Sequence, residues 1–407
     1  MIASVIGLTW GDEGKGKIVD MLRDRFDFVV RYSGGDNAGH TVVRDGKTYK
    51  FHILPSSILE PSTVSVIGAG TVVNPYILKK EYENLPSKHG KLLISKRAHI
   101  VLNTYRKLDE LIENMRTEAI GTTKRGIGPA YAMKMYRLGI RAGEFVDANK
   151  LRIHLQELSK FMSMWGIEIE DSFDDLKKLA DFMKPMVTDT EYLLWANRNK
   201  NILFEGAQGY MLDIDMGTYP FVTSSHPGMA GIVANCFSPY LIDRRIGVLK
   251  AYTTRVGEGV FPTELTNEVG TYIREKGQEY GATTGRPRRC GWLDLVAAKY
   301  SVFANGINEL AITKLDVLSG LTKIKVAVSY KVRDNSYDIW PYEAISSSVV
   351  PIYEELDGWD TDIYGVSSFS DLPREAKRYI KFIEEVLGVK VKFISTGPKP
   401  EHTIEVQ

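Results

Sequence analysis

Seven residues near the amino terminus, Gly11-Asp12-Glu13-Gly14-Lys15-Gly16-Lys17, stand between an apolar run, Ser4 to Leu8, and a helix-like stretch, Ile18 to Leu22. Their spacing, G-x-x-x-x-G-K, is that of a loop that cradles phosphate: glycines let backbone N–H groups converge on the anion and the lysine reaches its outer oxygens. The next position, Ile18, offers no hydroxyl for the magnesium that accompanies a nucleotide. The metal then needs another oxygen, and Asp12 inside the loop has a carboxylate to give. Gly-rich strand-to-helix turns also occur with no ligand, so this loop gains weight only beside other chemistry.

Three further segments supply it. Arg31-Tyr32-Ser33-Gly34-Gly35-Asp36-Asn37-Ala38-Gly39-His40-Thr41 follows the apolar run Phe28 to Val30. Its glycines make a tight or mobile turn, and His40 is the side-chain type suited to moving protons near neutral pH. A lone histidine is more often an incidental surface group, but the exit loop of a strand beside the phosphate loop is where an open parallel sheet places ligands. Thr313-Lys314-Leu315-Asp316 closes the run Leu310 to Ile312 and is close to the N-K-x-D element that reads guanine, with threonine in the asparagine position. Its aspartate can accept from guanine N1–H and the exocyclic amine, which adenine does not offer, so GTP is favoured over ATP. Gly281 to Trp292 carries two threonines and three arginines within seven residues, stiffened by Pro287. That pattern suits a clamp for carboxylate or phosphate better than a solvated charge run.

The elements that must position these loops are short β-branched runs: Ser4-Val5-Ile6, Phe28-Val29-Val30, Val64 to Ile67, Asn201 to Phe204, Ile246 to Leu249, Leu310 to Ile312 and Val389 to Ile394. Amphipathic stretches lie between them, which predicts an α/β fold with a large central, mostly parallel β-sheet flanked by helices. Residues 151–199 read as a helical excursion, within a helical subregion of about 100–200. No Pro/Ser-rich linker or fixed-period repeat divides the chain, so 1–407 is expected to be a single domain. The 52 Lys plus Arg against 51 Asp plus Glu give a net charge of +1, which excludes a globally basic nucleic-acid or membrane binder. Two cysteines, Cys236 and Cys290, make no disulfide framework or metal pair. With no basic, apolar leader and no apolar run approaching about 18 residues, a cytoplasmic protein is expected.

The segment Trp10 to Lys17 and the later Gly121-Thr122-Thr123-Lys124-Arg125-Gly126-Ile127-Gly128-Pro129 resemble the two signatures of the adenylosuccinate synthetase family. The likeness continues, in order, through Phe204 to Gly209, Thr218 to Ser225, Arg255-Val256-Gly257, Phe261 to Leu265 and Ser395-Thr396-Gly397-Pro398. It implies a fold related to the P-loop NTPases and a magnesium-dependent ligase that joins L-aspartate to IMP at the expense of GTP, through a 6-phosphoryl-IMP intermediate. That reaction is the first committed step from IMP to AMP. By this resemblance Asp12, His40 and Lys17 are catalytic, and Asp12 and the Gly39 carbonyl hold Mg2+. GTP contacts fall to Gly11, Asp12, Glu13, Gly14, Lys15, Gly16, Lys17, Gly39, His40, Thr41, Arg288, Lys314, Leu315, Asp316, Ser395, Thr396 and Gly397. IMP contacts fall to Asp12 through Lys15, Asn37, Ala38, Gly39, His40, Thr123, Gln208, Thr223 and Arg286, with Arg137 reaching across a homodimer. Ala282, Thr283, Thr284, Gly285, Arg286 and Arg288 are implied to close over aspartate.

Three positions depart from the family pattern. Thr9 stands where glutamine is usual, Asp36 where His or Asn is more common, and Val260 in place of a proline. Asp36 adds a carboxylate near the expected phosphate site. A regulatory GTPase is the main competing class, but its D-x-x-G element would have to be Asp36-Asn37-Ala38-Gly39, too close to the first loop to leave room for a switch segment. A nucleotide-binding module without chemistry leaves the arginine clamp and His40 unexplained.

Overall fold

Ile2–Gly7 is buried at every position, as a run apolar but for Ser4 predicts for a strand of a parallel sheet covered on both faces. The computed structural model describes residues 1–44, 46–281, 285–345 and 348–406. In it, this strand lies inside a ten-stranded sheet whose order is Thr403–Glu405, Val391–Ser395, Glu309–Thr313, Arg244–Lys250, Ile2–Gly7, Ile202–Gly209, Phe28–Arg31, Val64–Ile67, Lys91–Ser95 and Val187–Thr188. All seven runs expected to be strands are in it. Phe28–Arg31 is parallel to both Ile202–Gly209 and Val64–Ile67, and Glu309–Thr313 is parallel to Arg244–Lys250 and Val391–Ser395. The edge strand Thr403–Glu405 is antiparallel to Val391–Ser395.

The chain packs as two compact units, each assembled from three stretches. The first comprises Met1–Ala3, Val19–Ala207 and Thr223–Asp243. It contains the helical excursion: Asn103–Met115, Ile127–Tyr136, Ala142–Phe145, Ala148–Ser163, Phe173–Met183 and Thr190–Ala196. Three of these helices begin where a side-chain oxygen accepts the first free amides, from Asp147, Ser172 and Asp189. Phe173–Met183 buries Leu176, Leu179, Ala180 and Met183, the i, i+3, i+4, i+7 stripe of a helix with one packed face. In this unit the parallel strands Phe28–Arg31 and Ile202–Gly209 bring Arg31 level with Glu205, so the chain leaves the first strand at Tyr32 where the second is midway along its length.

The second unit comprises Ser4–Ile18, Gln208–Val222 and Arg244–Gln407. Its core includes Trp10, Met211, Phe261, Val296, Tyr330 and Trp340, with Val260 packed against them. A smaller sheet pairs Leu321–Val332 with Val349–Trp359 in a long antiparallel ladder. The parallel strands Glu309–Thr313 and Val391–Ser395 release Lys314 and Thr396 at the same sheet edge, so two sequence-distant loops converge. Cys236 and Cys290 are both free thiols, and no described helix is long and apolar enough to cross a membrane.

Candidate active site

In the second unit the phosphate-type loop runs from the first strand into the helix Lys15–Leu22, with Gly11, Asp12 and Gly14 in left-handed backbone at φ of 91, 60 and 94°. Its inner wall is made by the fully buried Glu13. One Glu13 oxygen accepts from Thr9 N and Thr9 Oγ1, both at 3.1 Å, and from Gly11 N at 2.9 Å; the other takes Lys15 Nζ at 2.7 Å. Thr9, the departure from the family pattern, therefore supports Glu13 by both its amide and its hydroxyl. Gly7 has no room for a side chain, because a Cβ there would lie 2.3 Å from Glu13 Oε2 and 2.8 Å from the Gln208 carbonyl oxygen. Gln208 itself adopts φ 51° where its strand is ending.

The guanine-type element is fastened to this loop. Thr313 Oγ1 donates to the Glu13 carbonyl at 2.5 Å, so the threonine in the asparagine position still supplies a donor. Lys314 sits at φ 58° with its ammonium on the Gly277 carbonyl at 2.5 Å and on Glu279 Oε1 at 3.1 Å. Leu315 is buried. Asp316 Oδ1 is buried with no hydrogen-bond partner among the described residues, and burial raises this carboxyl above its usual range. Such an acceptor, walled from water and unpartnered, suits a ligand that brings N–H donors.

Lys17 is placed differently from the sequence expectation of a lysine at the phosphates. Its ammonium donates to Ser395 Oγ and the Gly397 carbonyl, each at 2.6 Å, and to the His402 carbonyl at 3.3 Å. Burial lowers its pKa to about 8, against the opposing charges of Asp316 and Glu401. Thr396 is buried with its hydroxyl on the Val366 carbonyl, leaving Ser395 and Gly397 to face Lys17.

Asp12 carries the remaining charge. Its Oδ2 is 2.8 Å from Arg288 Nε, an ion pair without hydrogen-bond alignment, and its side chain is 36% exposed. Arg288 also donates from Nη1 to Glu279 Oε2 at 2.7 Å. Gly285 and Arg286 are exposed. Ala282, Thr283 and Thr284 lie outside the described residues.

The first unit holds a second constellation. Arg31, fully buried, donates to the His52 carbonyl and to the Gly35 carbonyl, each at 2.5 Å, and so fixes the loop that leads to His40. His40 opens the strand His40–Arg44. Its Nδ1 lies 2.6 Å from Oε1 of the fully buried Glu205 and 3.1 Å from Ser56 Oγ. Ser56 donates to the same carboxylate through Oγ at 2.5 Å and through its amide at 3.0 Å. Burial pushes Glu205 up, but the His40 charge and the hydrogen bonds from His40 and Ser56 outweigh it and hold the carboxyl below its usual range. An ionised carboxylate only accepts, which assigns the Nδ1 proton to His40.

Asn37 and Thr223, far apart in sequence, meet here with Nδ2 3.4 Å from Oγ1. Ala38 is buried, while Gly39, Thr41, Thr123 and Arg137 are exposed. Asp36, the extra carboxylate of the sequence, is 2% exposed and turned to Arg125 at 3.7 Å and Asn74 Nδ2 at 3.5 Å. Both contacts are to Oδ2; Oδ1 is buried with no hydrogen-bond partner among the described residues. Two carboxylates that no sequence motif singled out for a role, Glu205 and Glu279, turn out to hold His40, Arg288 and Lys314. Their advance signals are weak: Glu205 is an acidic residue inside a mostly apolar strand, within the Phe204 to Gly209 segment of the likeness.

A family model described as adenylosuccinate synthetase matches residues 4–404. An adenylosuccinate synthetase from Caldanaerobacter subterraneus subsp. tengcongensis is 48% identical over 99% of this chain and 98% of its own length. The solved structure of fully ligated adenylosuccinate synthetase from Plasmodium falciparum superposes with a TM-score of 0.94 at 37% identity, covering 100% of this chain and 99% of that one. A cyanophage S-2L succinoaminodeoxyadenylate synthetase, bound to dGMP and dATP, shares the fold at a TM-score of 0.65 and 19% identity, over 99% and 95% of the two chains.

Proposed function

This chain belongs to the adenylosuccinate synthetase family, and from that premise we propose how it carries out the GTP-dependent ligation of L-aspartate to IMP. Oxygen at C6 of hypoxanthine is a poor leaving group, so an amine cannot displace it directly. Asp12 takes the N1 proton of IMP, the charge moves to O6, and O6 attacks the γ-phosphorus of GTP in line, releasing GDP. The amino group of aspartate then attacks C6 and gives up a proton, and phosphate leaves with the former O6. Glu205 engages His40 at Nδ1, so Nε2 is the nitrogen that donates toward the transferred phosphoryl group. Asn37, Thr223 and Gln208 hold IMP; Lys314, Asp316 and the Ser395–Gly397 turn hold guanine.

The observation that carries the GTP assignment is the unpartnered, buried Asp316 Oδ1 beside a Lys17 that ties the phosphate-type loop to the Ser395–Gly397 turn. Asp12 and Gly39 are exposed residues, a carboxylate and a backbone carbonyl are oxygen donors of the hard kind that magnesium takes, and Asp12 already accommodates a cation, the Arg288 guanidinium. They would hold Mg2+, which supplies charge neutralisation on the transferring phosphates. Arg137, exposed at φ 63° after the helix Ile127–Tyr136 and beside the exposed Met135 and Tyr136, reaches the IMP phosphate of a second subunit in a homodimer. Small phosphorylated substrates and free thiols fit a reducing cytoplasm.

The test is the ultraviolet change on mixing the protein with IMP, aspartate and GTP, beside a GTP-only control. Adenylosuccinate formation dependent on all three supports the reading; GTP hydrolysis indifferent to IMP would favour a switch GTPase. Arg286 is expected to pair with the aspartate carboxylate, so Arg286→Leu should raise KM for aspartate by at least about tenfold, the worth of one charged hydrogen bond, with KM for GTP within about twofold. Equal effects on both substrates would count against the clamp.

Lys17 gives a pH dependence with a defined sign. Its ammonium form is half populated at pH about 8, and that form makes the three donations that tie the phosphate-type loop to the guanine-side Ser395–Gly397 turn. KM for GTP should therefore be flat below pH about 7 and rise above 8, by up to about tenfold per further unit. GTP binding at pH about 9 should take up a proton, read from calorimetry in buffers of different ionisation enthalpy. A KM that falls as the pH rises would contradict this placement of Lys17.

A further inference from the structure

Glu279 follows the helix Glu268–Gly277 and is fully buried. Its Oε1 gathers Tyr252 Oη at 2.5 Å, Lys250 Nζ at 2.8 Å and Lys314 Nζ at 3.1 Å. Its Oε2 takes Arg288 Nη1 at 2.7 Å, and its backbone carbonyl accepts the Arg288 amide at 2.8 Å. Burial alone would push this carboxyl up. The charges of Lys250, Lys314 and Arg288 reverse that and hold it far below the usual range.

A carboxylate that merely neutralised the buried Lys250 would need one cation. Here two more converge, and they are the two that lead to different parts of the GTP site. Lys314 adjoins the guanine-reading Asp316, in a left-handed conformation that disfavours a residue with a side chain. Its anchors at Gly277 and Glu279 hold it there. Arg288 leads to Asp12. The two carboxylate oxygens thus divide between the base-reading and the proton-accepting ends.

We propose that Glu279 is a positioning residue that couples recognition of guanine, through Lys314, to the setting of Asp12, through Arg288. The inference rests on the functional reading above. Engagement of Lys314 by a purine changes its share of Glu279, and the rigid carboxylate passes that change to Arg288. Glu279 touches no substrate in this scheme.

Glu279→Gln keeps the shape and can still accept from Tyr252. It is expected to weaken GTP binding, measured by calorimetry, by about tenfold and to lower kcat by a similar factor, the effect of removing one charge-assisted contact. KM for IMP should stay within about twofold. Because the amide strands Lys250 in the interior, Glu279→Gln/Lys250→Met serves as the second variant; it should regain the wild-type thermal midpoint without regaining GTP affinity or kcat. Recovery of GTP affinity and kcat by the double variant would overturn the proposal, as would a single variant whose only defect is a lowered midpoint. A wild-type protein that binds GTP yet ligates no IMP would refute the functional reading instead, while GTP affinities of the variants would still decide the role of Glu279.

Discussion

Asp12→Asn is expected to lower kcat for adenylosuccinate by about 10²–10⁴, the usual contribution of a positioned general base, while GTP binding, whose magnesium the neutral amide oxygen can still ligate though less strongly, weakens far less. The structure makes the substitution a clean one. Asp12 occupies left-handed backbone at φ 60°, which asparagine tolerates as well as aspartate does, so the loop keeps its course. The ion pair to Arg288 is lost, but with Asp12 36% exposed its loss should lower stability by less than about 1 kcal/mol. Glu13, Lys15 and Thr313 hold the loop independently of the Asp12 side chain. What the amide cannot do is accept the N1 proton of IMP. The deficit should therefore narrow as pH rises toward the range in which the purine sheds that proton unaided. The Lys17 effect is common to both proteins and cancels in their ratio. Product formation near the wild-type rate, or a deficit independent of pH, would remove Asp12 from the role of base.

The parallel sheet was legible in the sequence because its central strands are buried on both faces and read as short β-branched runs. Three of its strands were not. Val187–Thr188 and Thr403–Glu405 are too short to form a pattern, and Lys91–Ser95 is Leu-rich, which suits a helix equally well. The long strand Leu321–Val332 alternates buried Ile324 and Val326 with exposed Lys323 and Lys325, a period-two signal in plain view but outside every functional motif.

For the site, spacing exposed the glycines, Lys17 and Asp316, because tight turns and phosphate cradles need particular residue types at particular separations. Spacing said nothing of what each side chain touches. Lys17 reads as a phosphate lysine, yet its ammonium lies on Ser395 and Gly397. Glu205 lies in a segment of the resemblance that named no role for it and Glu279 in none, and most of their partners lie at distant sequence positions, joined by the fold.

Glu205→Gln is expected to lower kcat by about 10²–10⁴, as when a triad carboxylate is made an amide, with KM for GTP and IMP changed far less. The direction follows from counting donors. Glu205 receives three of them from two residues: His40 Nδ1 and Ser56 Oγ on Oε1, and the Ser56 amide on Oε2. Glutamine must put its NH2 on one side. At Oε2 it would face the Ser56 N–H, donor against donor, inside a fully buried site. At Oε1 it can donate to the Ser56 hydroxyl, which turns to accept, but it then faces His40 Nδ1. That nitrogen must give up its proton, and the ring becomes the neutral Nε2–H tautomer. It can still donate one hydrogen bond but brings no positive charge to the transferring phosphoryl group. Because the amide and a neutral imidazole satisfy each other, no buried charge is left without a partner, and folding should survive. His40→Asn in the Glu205→Gln background should then lower kcat by much less than it does alone, since the two residues act as one unit. Additive losses would mean that Glu205 supports the fold and not His40.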